Sequence, residues 1–554
     1  MLNIKPLYWS KGLILNKNFY KTNYHYFFFI IFFIIQLLIF NDYGFPSDDK
    51  ISRFNGLVSF NHIIEKLNIQ IFQAYSDIPK LENYLDKDYG VVFELLPVLI
   101  EKIFNLQDTK SIYYTRHYLI SFTFFIGSIF FYLTLRNFFS KNISLLGTII
   151  FISHPRIFAE SFYNSKDIVF LVFFCISNYF FLKFFLKQNF RNILLLSLSI
   201  SLAICIRPMA LIIPFLFLFF FVMQNLDKEK LNNFIFLLPF LFFTSFFTIL
   251  FWPYLWDDPS RIFEILRSMG KFRWIGEVFF NGEYFVGKYM PWYYVPITII
   301  ITSPFYQIIL FFIGFFISIN FLWKNLINLD NSNKNIWSNK TEFFILYSLI
   351  IIFLPIFLII ELNATVYNGW RQIYFIYPSI IFVCIYGLNY ILRLKKIKNY
   401  IYFTVILFLL VNSFFLIKNH PYQYTFYNSL VTKKNLKNFE LDYWGLSNLD
   451  ILKKLNSISD NDFYKIYVFS VNPYYLSINL MPEAIKKKYI FVDNIEDAEF
   501  IVTNHYYQDY YFKEKDYLQS KHPEFIKKYL DKNFKLVYDI KSNNVSINSI
   551  YKKN

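Results

Sequence analysis

The sequence predicts a polytopic α-helical membrane protein of about eleven spans that ends in a small α/β domain. Three observations predict it. Long apolar runs recur up to Ile417, cationic residues mark alternate connections between them, and the chain turns polar afterwards. Of 554 residues, 56% are hydrophobic and 17% charged, where an ordinary soluble chain carries about a quarter charged. A run of about 17 residues or more crosses a hydrocarbon core of about 30 Å. Lipid offers the backbone no hydrogen bonds, so each such run is a helix. The abundance of Phe, Ile, Tyr, Asn and Lys matches the codon bias of an AT-rich genome and inflates the formal charge of +16. That basicity is therefore not read as nucleic-acid binding, and no nucleic-acid partner is expected. Cys175, Cys205 and Cys384 lie in or at the ends of apolar runs, without metal-site spacing, and read as small buried hydrophobes.

The runs fall near 24–40, 117–135, 143–153, 168–186, 192–206, 209–223, 233–253, 293–320, 342–361, 373–391 and 400–417. The first follows a stretch with Lys5, Lys11, Lys17 and Lys21, is too long for a signal-peptide core and reads as a retained helix. The third, fifth and sixth are short enough to be tilted, broken or partly inserted. With residues 1–23 in the cytoplasm, alternate connections carry Arg136 and Lys141; Lys187 and Arg191; Lys228 and Lys230; Lys324, Lys334 and Lys340; and Arg393, Lys395, Lys396 and Lys398. This is the positive-inside pattern, and it predicts a cytoplasmic (inner) membrane protein with its functional groups on the outer face.

The outer connections are acidic or aromatic. The loop 41–116 holds Asp48, Asp49, Asp77, Asp86, Asp88 and Glu94, with helical apolar spacing over 54–72 and 91–104 that suits interfacial helices. A second turn spans 154–167, a third 252–292 and a fourth 361–372. Residues 418–554 are polar, with strand-like runs at 465–470, 489–492, 499–503 and 535–538 between helix-like segments. An odd number of spans places this domain outside, and it is long enough to fold alone. The inverted repeats of many transporters are not evident.

Asp48 and Asp49, at the outer surface just past the first span, could deprotonate an acceptor hydroxyl, bind a cation or steady positive charge, or simply be a solvated loop pair. Asp167 opens a span directly after Lys166, where a carboxylate is favoured by the helix dipole and serves equally as a cap or a site. Arg156, Lys166 and Arg371 are cations on outer turns. A guanidinium suits bidentate phosphate contacts and Lys supplies a point charge, while lipid headgroup anchoring is the plainer role. Arg207, before Pro208, is an ionisable group near membrane depth and so either functional or snorkelling. The aromatic clusters at 252–256 and 292–294 read first as an interface belt. His154 has no His partner at metal-ligand spacing, so no zinc site is read there.

Together these segments resemble the GT-C class of polyprenyl-phosphate-sugar-dependent glycosyltransferases, and within it the branch of protein O-mannosyltransferases, aminoarabinose transferases and related bacterial enzymes. The residues that carry the resemblance are Pro46-Ser-Asp-Asp49 after the first span and Asn164-Ser-Lys-Asp167 before the fourth. Ser153-His-Pro-Arg-Ile-Phe158, Tyr367-Asn-Gly-Trp-Arg-Gln372, His420-Pro-Tyr-Gln-Tyr424 and Asp442-Tyr-Trp-Gly-Leu446 follow in order, so the likeness covers roughly residues 24–450. The class often has Asp-Glu where this chain has Asp48-Asp49, and Glu160 stands where a small or neutral residue is usual. The resemblance implies a GT-C-like membrane domain over 24–417 with an added domain at 418–554. It implies inverting transfer of a sugar from a polyprenyl-phosphate donor to a lipid, glycan or protein acceptor, within a groove open to membrane lipids. Asp48 or Asp49 would act as base toward a hydroxyl acceptor, or orient a phosphate or carboxylate one, with Asp167 assisting. Arg371, Lys166 and Arg156, in that order, would hold the donor phosphate. The carboxylates leave a divalent metal open, and no other cofactor is implied. The alternatives are a transporter or flippase, which nearly charge-free spans disfavour, or a surface-polysaccharide ligase or polymerase.

Overall fold

Eight helices among the described residues are long and apolar enough to cross a membrane: Thr109–Leu135, Asp167–Leu186, Pro208–Asn225, Asn233–Phe251, Phe305–Lys324, Lys340–Glu361, Arg371–Ile391 and Lys398–Lys418. Three shorter apolar helices, Asn23–Ile39, Lys141–Ile152 and Phe190–Ile204, join them. The computed structural model describes residues 17–225, 233–270, 272–327, 337, 339–394, 396–458, 462–508 and 522–553. Lys5, Lys11, Lys228, Lys230, Lys334 and Lys395 of the charge pattern lie outside the described residues.

These helices occupy the eleven apolar runs, with one difference. The run at 293–320 is two helices, Tyr294–Thr302 and Phe305–Ile327, because Pro304 holds Ser303 in an extended conformation and removes an N–H from the ladder. Small residues let the helices approach. A Cβ on Gly387 would come within 2.6 Å of the Gly314 backbone, and one on Gly127 within 2.7 Å of Val172. Ser197, Ser201 and Cys205, four residues apart on one helix, donate to the carbonyls of Phe240, Thr244 and Thr248, equally spaced on its neighbour. Polar groups at depth are thereby satisfied across the interface.

The two amphipathic stretches of the first outer loop become the helices Asp49–Lys66 and Leu95–Ile103. They pack through Leu57, Phe60, Ile64 and Val98, and Arg53 bonds Glu101 through two nitrogens at 2.8 and 3.0 Å. In the third outer loop, β1 (Glu277–Phe280) and β2 (Glu283–Val286) form a hairpin turned at Asn281 and Gly282, both at positive φ.

The C-terminal region carries a five-stranded sheet built from β3 (Tyr464–Val468), β4 (Tyr489–Phe491), β5 (Phe500–Thr503), β6 (Phe534–Ser542) and β7 (Val545–Lys553). Its order is β4-β3-β5-β7-β6, parallel from β4 to β5 and antiparallel beyond. Four strands sit on the strand-like runs of the sequence. The fifth, β7, is added by the two-residue turn at Asn543 and Asn544, both at positive φ, a conformation asparagine tolerates. This domain is seated on the membrane part. Phe45, Ile112 and Tyr113 enter its core beside Leu452 and Tyr464. Ser47 N donates to Trp444 O at 3.0 Å, and a Cβ on Gly44 would lie 2.1 Å from Leu446 O, so only glycine fits that contact.

Candidate functional site

Between the membrane part and the C-terminal domain lies a cavity of about 940 Å³. Asp48, Lys166, Arg207 and Arg371 line it from below and Tyr443, Trp444, Asn472, Tyr506 and Gln508 from above, with Trp274 and Tyr367 at the side. The four turns that the sequence pointed to thus meet in one place.

Asp48 precedes the helix Asp49–Lys66, and consecutive helical residues project about 100° apart. The two carboxylates are therefore separated. The Asp48 side chain is 42% exposed and faces the cavity, whereas that of Asp49 is 2% exposed and points into the protein. Asp49 Oδ2 lies 3.2 Å from His117 Nε2, and Arg116, fully buried, pairs with Glu94 and stands 3.9 Å from Asp49. Glu94 also accepts from Ser165 Oγ at 2.6 Å, which ties this buried cluster to the turn carrying Lys166.

Arg371 is placed by the Asn368-Gly369 turn, whose residues take φ of 53° and 78°. Gly369 N donates to Tyr294 Oη and Trp370 Nε1 to Thr302 Oγ1, both at 2.8 Å. The guanidinium lies between the rings of Tyr367 and Trp444, 4.9 and 4.5 Å from their centroids. Its Nη1 donates at 3.4 Å to both Asp48 and Asp167. Asp167, buried, also pairs with Arg207 and accepts from Asn164 Nδ2 at 3.0 Å. Asn164 Oδ1 in turn accepts from the backbone N–H groups of Lys166 and Asp167, so one amide shapes the whole turn. Nε of Arg371 and Nε of Arg207 are buried and make no hydrogen bond among the described residues.

The Lys166 ammonium sits 4.3 Å above the Tyr89 ring. Burial pulls it below its ordinary range, while the Asp48 and Glu94 carboxylates pull the other way. Arg156 lies apart. It is buried behind the cavity wall, donating to Phe426 O at 3.0 Å and stacked 4.5 Å from the Tyr427 centroid. Glu160, whose carboxyl burial holds above its ordinary range, accepts from Asn164, Tyr374 and Tyr443 at 2.7, 2.9 and 3.2 Å. It therefore braces the Asn164 turn from beneath. Burial drives His154 down to about 3, and its neutral ring caps the helix Pro155–Glu160. Glu440, which accepts from Asn368 at 3.3 Å, is raised by burial to about 7.

Sequence reasoning singled out Arg207 without placing it beside Asp167. Tyr89 and Arg273 went unremarked. Arg273 reaches the cavity while bonding Asp88 at 2.5 Å and Asp86 at 3.4 Å, and the signal available was a cation within an acidic and aromatic outer loop. Among the described residues, no group of three or more His, Cys, Asp or Glu is arranged to hold a metal ion.

Fold and site together define a multi-pass membrane protein with a cation-lined cavity under a soluble domain. Residues 111–252 match the family model described as dolichyl-phosphate-mannose-protein mannosyltransferase, and the resemblance to the GT-C glycosyltransferases is borne out. No curated protein matches the chain. Among solved structures, it is similar to ArnT from Cupriavidus metallidurans in the apo state (9% identity, TM-score 0.45, 96% of this chain and 98% of that one). It is also similar to the apo oligosaccharyltransferase of Archaeoglobus fulgidus (12%, 0.43, 88% and 70%). The third is the Cupriavidus metallidurans ArnT bound to undecaprenyl phosphate (8%, 0.43, 94% and 97%).

Proposed function

We propose that this protein transfers a sugar from a polyprenyl-phosphate donor to an acceptor at the outer face of the cytoplasmic membrane, with inversion. One observation carries the reading: Arg371, Lys166 and Arg207 converge on a single cavity into which Asp48 alone of the first acidic pair projects.

The chemistry follows from the charges. The sugar–phosphate bond breaks with its electron pair leaving on the phosphate, which gains negative charge as it departs. Arg371 and Lys166, fixed in place before the reaction, stabilise that charge without reorganisation. Arg207 and Arg371 both bond Asp167, so this carboxylate orients the two guanidiniums. On the opposite side of the anomeric carbon an acceptor hydroxyl attacks, and Asp48 takes its proton. Trp274, Tyr367, Trp444 and Tyr506 give the cavity ring faces suited to a sugar, and Ile51, Leu85 and Ile275 give it an apolar side suited to the donor's lipid.

The test is turnover of a panel of polyprenyl-phosphate sugars by purified protein beside Asp48→Asn, Asp49→Asn and Asp167→Asn. Asp48→Asn is expected to lose about a hundredfold or more in turnover while still binding donor. Wild type that neither binds nor consumes any lipid-linked sugar would reject the reading in favour of transport.

A further inference from the structure

A second, separate recess opens on the far side of the molecule's cavity wall. It has a volume of about 550 Å³ and runs from the start of the helix Phe305–Ile327 and the end of Lys398–Lys418 up to the β6–β7 turn. Its lower walls are apolar: Phe305, Phe408, Val411 and Phe415. Phe305 is 41%, Phe408 37% and Val411 60% exposed, on helices that cross the membrane, so this part of the recess faces lipid. Its upper rim is cationic, with Lys418, Lys433 and Lys541, all exposed. The rim is not purely basic, since Asp539 lies 3.7 Å from Lys541.

Three buried amides hold the back wall of the recess. Asn412 Nδ2 donates to Ser153 O at 2.6 Å. Asn428 Nδ2 donates to the carbonyls of Ile300 and Ser303, at 2.7 and 2.8 Å, where the helix breaks before Pro304. Asn419 Oδ1 accepts from Ser542 Oγ at 3.3 Å, joining the membrane helix to the sheet domain. The layer of Arg156, Tyr427 and Glu440 stands between this recess and the cavity, with Tyr427 Oη donating to Glu440 O at 2.9 Å. The recess shares no lining residue with the cavity.

A slot that is apolar at membrane level and cationic at its mouth matches an amphiphile with a negative head. We infer that it binds an anionic phospholipid of the surrounding bilayer, with its chain against Phe408 and Val411 and its phosphate against Lys418, Lys433 and Lys541. Occupation would link the membrane helix to the β6–β7 turn and so steady the sheet domain over the cavity. This inference does not depend on the cavity being a glycosyltransferase site.

The protein would be placed in nanodiscs of phosphatidylcholine containing graded phosphatidylglycerol, and the lipids retained on release counted by native mass spectrometry. The wild type is expected to retain at least one phosphatidylglycerol with about tenfold preference over phosphatidylcholine. Lys418→Gln/Lys433→Gln/Lys541→Gln should lose that preference, as should Val411→Trp, which fills the slot without touching charge. Asp48→Asn should retain the lipid like wild type, which separates this result from the reaction in the cavity. Equal retention of the two lipids by wild type, or undiminished preference in both the triple and the Trp variants, would overturn the inference. So would displacement of the lipid by millimolar inorganic phosphate, because the site would then be one for free anions.

Discussion

Two acid–base clusters sit on either side of one peptide bond. Asp48 belongs to the cavity cluster with Arg371, Asp167 and Arg207, and Asp49 to the buried cluster with His117, Arg116 and Glu94. Their parts are alike but their surroundings are not. In the buried cluster every carboxylate is matched within the protein and solvent is excluded, so its charges hold the outer loop on the helix Thr109–Leu135. In the cavity cluster Asp48 stays partly exposed and lines open space, whereas buried guanidinium nitrogens without a partner occur in both clusters. Identical side chains thus sit in a closed ion cluster or against an open cavity according to which face of a helix they occupy.

The largest effect that would sharpen this contrast is expected from Arg371→Ala. Removing a preorganised charge from a leaving group costs about a hundred- to thousandfold in turnover. Arg371→Lys should recover little of it, because Lys cannot bridge Asp48 and Asp167 or lie flat between Tyr367 and Trp444. Single-turnover rates with saturating donor would measure both.

Next comes Asp49→Asn. Breaking a buried ion cluster from one side costs about 3 kcal/mol, read as a lowered unfolding midpoint in detergent. Turnover per folded molecule should stay within a few-fold of wild type, the reverse of Asp48→Asn. If Asp49→Asn abolished turnover without loss of stability, the two clusters would have to exchange roles.

A smaller effect is expected from pH. Glu440 has a folded-state pKa of about 7, above its ordinary 4.5, so the folded state binds the proton more tightly. Its contribution to stability is full below about 4.5 and lost as pH rises through about 7. Glu440→Gln should remove that slope, leaving a flatter midpoint-against-pH curve between 4.5 and 7. The smallest effect is expected from Arg273→Gln. This cation lies at the cavity edge, already paired with Asp86 and Asp88, and its loss should raise the donor KM a few-fold with kcat nearly unchanged.

Much of the scaffold was legible because lipid imposes long apolar runs, and each of the eleven runs holds a helix. The break at Ser303-Pro304 was written in the sequence as a proline but hidden inside 28 apolar-looking positions (293–320). The convergence of the four turns was readable as a set of charged groups on one face of the membrane. Which member of Asp48-Asp49 faces the cavity was not, since it depends on the first turn of a helix docked by Gly44 and Ser47 against a domain 400 residues away. Arg371 and Arg156 both read as cations that would hold the donor phosphate, Arg371 first and Arg156 last. Only the fold shows that Tyr427 and Phe426 enclose one while the other reaches the cavity. Strand β7 was missed because Ser546, Asn548 and Ser549 dilute its apolar pattern. These residues are used instead in bonds to Asp539, Asn448 and Ser447.

The roof of the cavity has a consequence for biosynthesis. Asp48 leaves the ribosome early, but Trp444, Asn472 and Gln508, which close the space above it, are translated several hundred residues later. Throughout that interval the inserted helices present an open, half-walled trough. The closed cavity therefore forms late and all at once, when the last domain settles onto Gly44. A chain stalled or clipped before residue 508 would lack the side chains that close this space from above.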